Sequence, residues 1–220
     1  MTKTRKVTLS PIHDITEYIN NSKIVSCSQG PHTNEYYMLF IDEEPRRIDG
    51  MFVQSKTGKP HAYRILKIQN EHFTEVFLPK QKYYYHFVQP IGDDHLILVG
   101  ARCRFFSEEN FEKNGKIFDY YGVKKDEILL GDGIQTIQST KNGMLWTGYF
   151  DEGVFGNYGW SEPVGAPGLI AWNSKGEAIY KNTSFDICDC YALNVVSDDE
   201  VWRQVNSFSL LIGISEGTAY

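Results

Sequence analysis

Three short apolar segments recur at a fixed interval, and this interval is the strongest constraint on the fold. The segments RILKI, KIFDY and GLIAW contain Ile65, Ile117 and Leu169, and each of these residues follows the previous one by 52 positions. Each segment leads into a second apolar stretch of strand length. Four short strands in about 50 residues is a period typical of β-propellers, whose blades bury their faces only against neighbouring blades.

A second set of hairpins precedes these segments and shares one plan, in which an alternating strand meets a turn and continues into another strand. The turn signals are Asp93-Asp94, Asn142-Gly143 and Asp198-Asp199. Among the short strands, the sequence predicts one at 134–138, before the turn at Asn142-Gly143, and a candidate at 50–54. The sequence therefore predicts an all-β fold, a β-propeller-like array of about four to five four-stranded blades in one domain. The predicted repeat units within residues 1–220 are roughly 23–80, 83–131, 132–181 and 185–220. The last blade is expected to be incomplete or closed by the N-terminal strand, for which residues 6–9 are the candidate, and an irregular β-sandwich is the alternative fold.

The composition agrees with a β fold and narrows the choice of partners. Aromatic residues make up 14% of the chain, which favours half-buried pleated surfaces. The net charge of −6 argues against nucleic acid as the main partner. The sequence has no apolar run of about 18 residues, and its basic start lacks the apolar centre of a secretory signal. We therefore expect a cytoplasmic protein that does not bind membranes, with four reduced, structural cysteines.

The stretch 151–160, DEGVFGNYGW, is the best candidate for a binding site. It places the carboxylates of Asp151 and Glu152 directly after a predicted strand, and aromatic rings follow in the same loop. Aromatic faces beside carboxylates suit a sugar or a peptide in a cleft. Acidic residues that border other predicted strands extend this site into a rim around a central channel. The predicted ligand-binding residues are Asp132, Tyr149, Asp151, Glu152, Tyr158, Trp160 and Asp189.

Each of these residues also has a structural interpretation. Asp132 and Asp151 can hold the amides of glycine turns, and the aromatic rings can pack between blades. The loop glycines lack the following helix and the Lys-Ser/Thr pair of a phosphate-binding loop. The six histidines show no metal-ligand spacing, and no glycine–serine elbow indicates a hydrolase.

Four motifs carry a resemblance to a known family. The motifs are GDGI at 131–134, YFDEGVFGNYGW at 149–160, GLIAW at 168–172 and DCYALNV at 189–195. With them, the chain resembles a family of uncharacterised bacterial β-propeller-like proteins. The resemblance implies the fold and supplies no established activity. Two departures stand out: residues 203–207 replace an aromatic run, and the chain stops inside a repeat where its relatives continue, which makes it similar to a shortened member.

These observations favour a non-enzymatic binding scaffold. It would recognise a protein, peptide or glycan through the loop 151–160 and the channel rim, without a cofactor. The alternative is a lyase- or hydrolase-like propeller enzyme that uses the channel carboxylates, with or without a divalent cation. A purely structural role is a third interpretation. An open ring would also predict a homo-oligomer, because a second copy could cover the exposed edge.

Overall fold

The computed structural model describes residues 11–48, 53–198, 200–205, 212–215 and 218–219, and these residues form an all-β structure. They build four antiparallel sheets of four strands each, a short hairpin and two one-turn helices. In every sheet the strands follow chain order, so each sheet is a simple meander. Turns rich in Asn, Asp and Gly permit this arrangement, because such residues adopt the backbone conformations that tight hairpins require.

The strands are named in chain order. The first sheet contains β1 (Lys23–Gln29), β2 (Glu35–Ile41), β3 (Lys56–Gln69) and β4 (His72–Tyr83). The second sheet contains β5 (Phe87–Ile91), β6 (His95–Val99), β9 (Gly115–Asp119) and β10 (Lys124–Ile128), and the hairpin β7 (Phe105–Ser107) and β8 (Asn110–Phe111) is inserted between β6 and β9. The third contains β11 (Ile134–Ser139), β12 (Leu145–Tyr149), β13 (Leu169–Trp172) and β14 (Ala178–Lys181). The fourth contains β15 (Cys190–Val195), β16 (Val201–Val205), β17 (Ile212–Ser215) and β18 (Thr218–Ala219).

The three residues of the 52-residue interval occupy matching strands. Ile65 lies on β3, Ile117 on β9 and Leu169 on β13, and each of these is the third strand of its sheet. The fourth sheet also contains four strands, although β18 is only two residues long. The candidate strand at 50–54 is not found at residues 53 and 54, and its other residues lie outside the described part of the chain.

The first strands of the four sheets lie side by side. β1 contacts β5, β5 contacts β11, and β11 contacts β15. Gln89 on β5 connects three of them, because its amide donates to the Gln29 carbonyl (3.1 Å) and its side-chain oxygen accepts from the Ser139 amide (3.0 Å). The Gln138 side chain accepts from the Val195 amide at 2.8 Å and continues the series to β15. Side-chain amides thus fix the relative positions of all four first strands.

Apolar side chains fill the spaces between consecutive sheets. Tyr37, Ile65 and Leu98 belong to a cluster between the first and second sheets, and Ile97 and Tyr149 to one between the second and third. A smaller cluster lies between the third and fourth sheets. Because both faces of the second and third sheets are covered, their inner strands β6, β12 and β13 are almost entirely buried, whereas the outer strands β10 and β14 are largely exposed.

The face of the first sheet that points away from the second is covered by the N-terminal segment. The helix α1 (Thr16–Ile19) lies there, and Tyr18 stacks on Phe73 with ring centroids 5.1 Å apart. The Arg64 guanidinium lies 4.7 Å from the Phe40 ring centre and donates to the Tyr18 carbonyl. The expected closing strand at residues 6–9 falls outside the described residues. None of the described helices is long and apolar enough to span a bilayer.

Candidate functional site

The meander topology sorts the connections into two ends. Turns from first to second strand lie at one end, which we name the turn end. Connections from second to third strand, and links from one sheet to the next, lie at the other end, which we name the loop end. All the residues predicted to bind a ligand lie at the loop end, in these connections or at the end of a strand: Asp132, Tyr149, Asp151, Glu152, Tyr158, Trp160 and Asp189.

Arg102 organises the centre of the loop end. Its side chain is buried, and its Nε and Nη2 atoms donate to the two carboxylate oxygens of Asp132 at 3.1 and 2.9 Å. Its Nη1 atom pairs with Glu152. This planar, two-pronged geometry is the arrangement in which Arg binds a carboxylate most strongly. Two of the predicted ligand-binding carboxylates are therefore paired with one internal guanidinium.

The carboxylate of Asp132 lies in a nearly dry environment. It is 2% exposed, and burial raises its pKa to about 6. The Arg102 guanidinium and the Cys103 amide, which donates to Oδ1 at 2.7 Å, act in the opposite direction because they stabilise the anion. Asp132 thereby fastens the 100–114 connection to the link before β11.

Tyr158 forms an aromatic platform between two guanidinium groups. The centres of the Arg102 and Arg104 guanidiniums lie 4.4 and 4.6 Å from its ring centre. Tyr158 adopts a φ of +54°, in the left-handed region that an aromatic residue seldom occupies. The next position, 159, requires glycine, because the Cβ of any other residue would lie 2.2 Å from the Phe105 carbonyl oxygen. This close approach positions the ring.

Trp160 anchors the same loop to the inserted hairpin. Its indole Nε1 donates to the Cys103 carbonyl at 2.6 Å, and its ring packs 4.7 Å from Phe105 and 6.3 Å from Phe111. The side chain is half-buried. Trp160 therefore supports the platform and offers only part of its surface to a ligand.

Asp151 and Asp189 hold the start of a one-turn helix. The predicted loop begins with the helix α2 (Asp151–Phe155), which its acidic, glycine- and aromatic-rich sequence did not indicate. The Asp189 carboxylate accepts from the Asp151 amide at 3.0 Å, and Asp151 accepts from the Glu152 amide at 2.7 Å. These carboxylates satisfy backbone donors at the start of the helix.

Tyr149 lies away from the solvent. It is fully buried in the core between the second and third sheets, its hydroxyl donates to the Leu130 carbonyl, and it accepts from Thr147 Oγ1 at 3.0 Å. Burial also raises the pKa of its hydroxyl, so that it stays protonated. Tyr149 therefore packs in the core and is not exposed to a ligand at the loop end.

The accessible part of the loop end combines a cation with aromatic rings. Arg104 is half-buried, lies 6.0 Å from the ring of Phe106, and donates weakly to Gln54 at 3.5 Å. Tyr158 also reaches Gln54, at 3.5 Å, and Phe106 is 54% exposed. No described carboxylate lies within ion-pair distance of the Arg104 side chain, whereas Arg102 is paired twice. We name this surface of Gln54, Arg104, Phe106 and Tyr158 the Arg104 platform.

Sequence reasoning identified Tyr158 and Trp160 but not Arg102 and Arg104, which contact the ring of Tyr158. The available signal was the segment ARCR at 101–104, where two arginines flank a cysteine directly after a strand. Cys103 is buried, and burial raises the pKa of its thiol, so it does not serve as a nucleophile. Among the described residues, no group of three or more His, Cys, Asp and Glu side chains could hold a metal ion.

Comparison with known proteins gives no family assignment. No protein-family model matches the chain, and no curated protein matches its sequence.

Proposed function

We propose that this protein is a non-enzymatic, β-propeller-like scaffold that binds an acidic segment of a protein or peptide on the Arg104 platform. One observation carries the proposal. The guanidinium of Arg104 lies half-buried on the ring of Tyr158 at 4.6 Å, and no described carboxylate lies within ion-pair distance of it. The nearby Glu112 carboxylate accepts from the Arg104 backbone amide at 2.9 Å, and Arg102 is paired with Asp132 and Glu152. A guanidinium held by an aromatic face is suited to a carboxylate ligand, because its fork remains available for two parallel hydrogen bonds.

The propeller part of the proposal is supported by the arrangement of the sheets. Four meanders follow one another, their first strands are adjacent, and Ile65, Ile117 and Leu169 lie on matching strands. Radially packed blades have these properties. In that architecture the loop end would be one face of the array, on which propellers present their variable connections.

The aromatic environment favours a peptide over a glycan. Phe106 is exposed and Tyr158 is half-buried beside a cation, so the platform offers one charge and two apolar surfaces. An acidic residue next to an apolar one matches that pattern. A neutral sugar could accept hydrogen bonds from Arg104 through its hydroxyl groups, but it would bring no charge to pair with the guanidinium.

The enzyme alternative depends on Asp132. Its pKa of about 6 is in the range of a general acid, and this is the one observation in favour of catalysis. The carboxylate is 2% exposed and bound by Arg102 and the Cys103 amide, so a substrate would have to displace internal partners to reach it. A binding role requires no such displacement.

A peptide array of graded acidity tests the proposal. We expect the protein to bind acidic peptides that contain an aromatic or aliphatic residue, and Arg104→Gln to weaken binding about tenfold or more, as expected for a charge-assisted pair. Arg46→Gln is the matched control, because Arg46 is an exposed arginine in the connection 42–55 of the same end. Equal binding by both variants, or preference for a glycan array, would refute an acidic peptide ligand.

A further inference from the structure

A cavity lies at the turn end, away from the Arg104 platform. It has a volume of about 120 Å³ and opens between the turns of the first three sheets, with Tyr120 as part of its wall. That volume has room for about four water molecules, so a ligand would be small. Its charged lining residues are Glu35, Lys67, Asp93 and Lys141.

The floor of this cavity contains a buried carboxylate with several donors. Glu35 is 1% exposed, and its Oε1 accepts from the Tyr37 hydroxyl at 2.8 Å and pairs with Lys67 Nζ at 3.1 Å. Its Oε2 accepts from the His32 amide at 3.1 Å. Gly30 allows this packing, because a Cβ there would lie 2.5 Å from Oε2. Glu35 is thus held in place and its charge is neutralised.

Lys67 retains binding capacity after this pairing. Its ammonium lies 5.4 Å from the ring centre of Tyr120 and 5.7 Å from that of Tyr37, and its side chain is 21% exposed. An ammonium has three N–H donors, and the one described acceptor is Glu35. The floor of the cavity therefore contains the Lys67 ammonium, which has unused N–H donors. It lies beside the Glu35 carboxylate, which already has three partners.

The rim of the cavity adds one positive and one negative side chain, on two turns that contact each other. Lys141 and Asp93 are exposed on the β11–β12 and β5–β6 turns. These turns touch, since a Cβ on Gly143 would lie 3.4 Å from the Gly92 amide nitrogen. The hydrogen bonds of Gln89 to neighbouring strands fix the turns from below. The cavity is therefore preorganised, which lowers the entropic cost of binding.

We propose that this cavity binds a small polar carboxylate, of the size of an amino acid or a hydroxy acid. The ligand carboxylate takes the free donors of Lys67 and the ammonium of Lys141. Asp93 accepts a hydrogen bond from the amino or hydroxyl group of the ligand. Glu35 does not contact the amino group, because Oε1 already has Tyr37 and Lys67 as partners, and Oε2 is bonded to the His32 amide and packed against Gly30.

Calorimetric titration at low ionic strength tests this site with four probes: L-serine, lactate, ethanolamine and inorganic phosphate. We expect the two carboxylates to bind and ethanolamine not to bind, because it carries the amino and hydroxyl groups without the carboxylate. Binding of phosphate but of neither carboxylate would overturn the proposal. So would binding of ethanolamine with the affinity of serine.

Variants assign the binding to this cavity. Lys141→Gln should weaken lactate binding about threefold, as expected for an exposed charge. Lys175→Gln is the matched control, because Lys175 is an exposed lysine on the β13–β14 turn, and this variant should leave lactate binding unchanged.

Lys67→Met should weaken lactate binding about tenfold or more. Because Lys67→Met leaves Glu35 unpaired, the double variant Glu35→Gln/Lys67→Met preserves a neutral floor and should bind lactate as weakly. Unchanged lactate affinity in the double variant and in Lys141→Gln would overturn the proposal.

Discussion

Two buried ion pairs occupy opposite ends of the molecule, and they differ in what they leave for a ligand. At the loop end, Arg102 binds both oxygens of Asp132 and also pairs with Glu152. At the turn end, Lys67 pairs with one oxygen of Glu35. Both carboxylates are almost completely buried, at 2% and 1% exposure. Burial of a charge alone therefore does not distinguish a structural pair from a binding group.

The geometry of the cation explains the difference. A guanidinium is a flat fork that can engage two carboxylates and two aromatic faces at once, and Arg102 lies between Phe150 and Tyr158 at 5.6 and 4.4 Å. An ammonium is a compact charge, and Lys67 keeps donors beyond its one ion pair. The loop-end pair thus works as an internal support for the Arg104 platform, whereas Lys67 can act directly on a ligand.

The largest expected effect is loss of the loop-end support. Arg102→Met leaves Asp132 buried without its main partner, and breaking a buried pair in this way costs roughly 3–5 kcal/mol. Urea denaturation should show this loss of unfolding free energy. The exposed Arg46→Met is the control and should change stability by less than about 0.5 kcal/mol. A loss below about 1 kcal/mol for Arg102→Met would mean that the pair does not support the fold.

A pH dependence should arise at the same end from His86, in the link between β4 and β5. Burial, with a contribution from the nearby Arg102 charge, lowers the pKa of His86 to about 4, and its Nδ1 accepts from the Ala101 amide at 3.0 Å. Between pH 6.5 and 4 the unfolded chain binds a proton on this histidine and the folded chain does not. Stability should therefore fall as the pH falls through this window, by at most about 3 kcal/mol.

The variant His86→Gln isolates this contribution. Its unfolding free energy should decrease less than that of the wild type between pH 6.5 and 4, as measured by urea denaturation at each pH. Asp132 acts in the opposite direction, because its raised pKa makes the folded state bind protons more readily below pH 6. If the two proteins show parallel curves, His86 is accessible to protons in the folded state.

Tyr149→Phe separates packing from binding at the loop end. The substitution removes the hydroxyl that donates to the buried Leu130 carbonyl, and it should cost about 1–2 kcal/mol of unfolding free energy. Because the side chain lies in the core, affinity for acidic peptides on the array should not change. If Tyr149→Phe lowers the affinity for acidic peptides without changing the unfolding free energy, Tyr149 is part of the ligand site.

The local elements could be predicted from the sequence because their signals are local. The strand expected at 134–138 is observed as Ile134–Ser139, and the turn at Asn142-Gly143 lies where expected, with Gly143 at a φ of +83°. Alternating residues and turn chemistry determine such hairpins over a few positions. The same signals placed the predicted ligand-binding residues at one end of the sheets.

The partners of these residues could not be predicted, because they depend on register and on packing between sheets. Tyr37 lies opposite Lys67 only through the pairing of β2 with β3, thirty positions apart in the chain. Arg102, in the β6–β9 connection of the second sheet, pairs with Asp132 in the link to the third sheet and with Glu152 on α2, which follows β12 of the third sheet. Repetition in the sequence indicates that sheets recur, but it does not say which side chains meet between them.

The smallest expected effect on stability belongs to Arg104, and it completes the comparison with Arg102. Arg104 stacks on Tyr158 and reaches only the neutral Gln54, so Arg104→Gln should cost less than about 1 kcal/mol, the value of an exposed cation–π contact. Parallel urea denaturation of the Arg102 and Arg104 variants measures the difference. A loss for Arg104→Gln as large as that for Arg102→Met would show that Arg104 is a second internal support. A small loss, together with weaker peptide binding, would show that two arginines separated by one residue divide the work, with one holding the platform and the other binding the ligand.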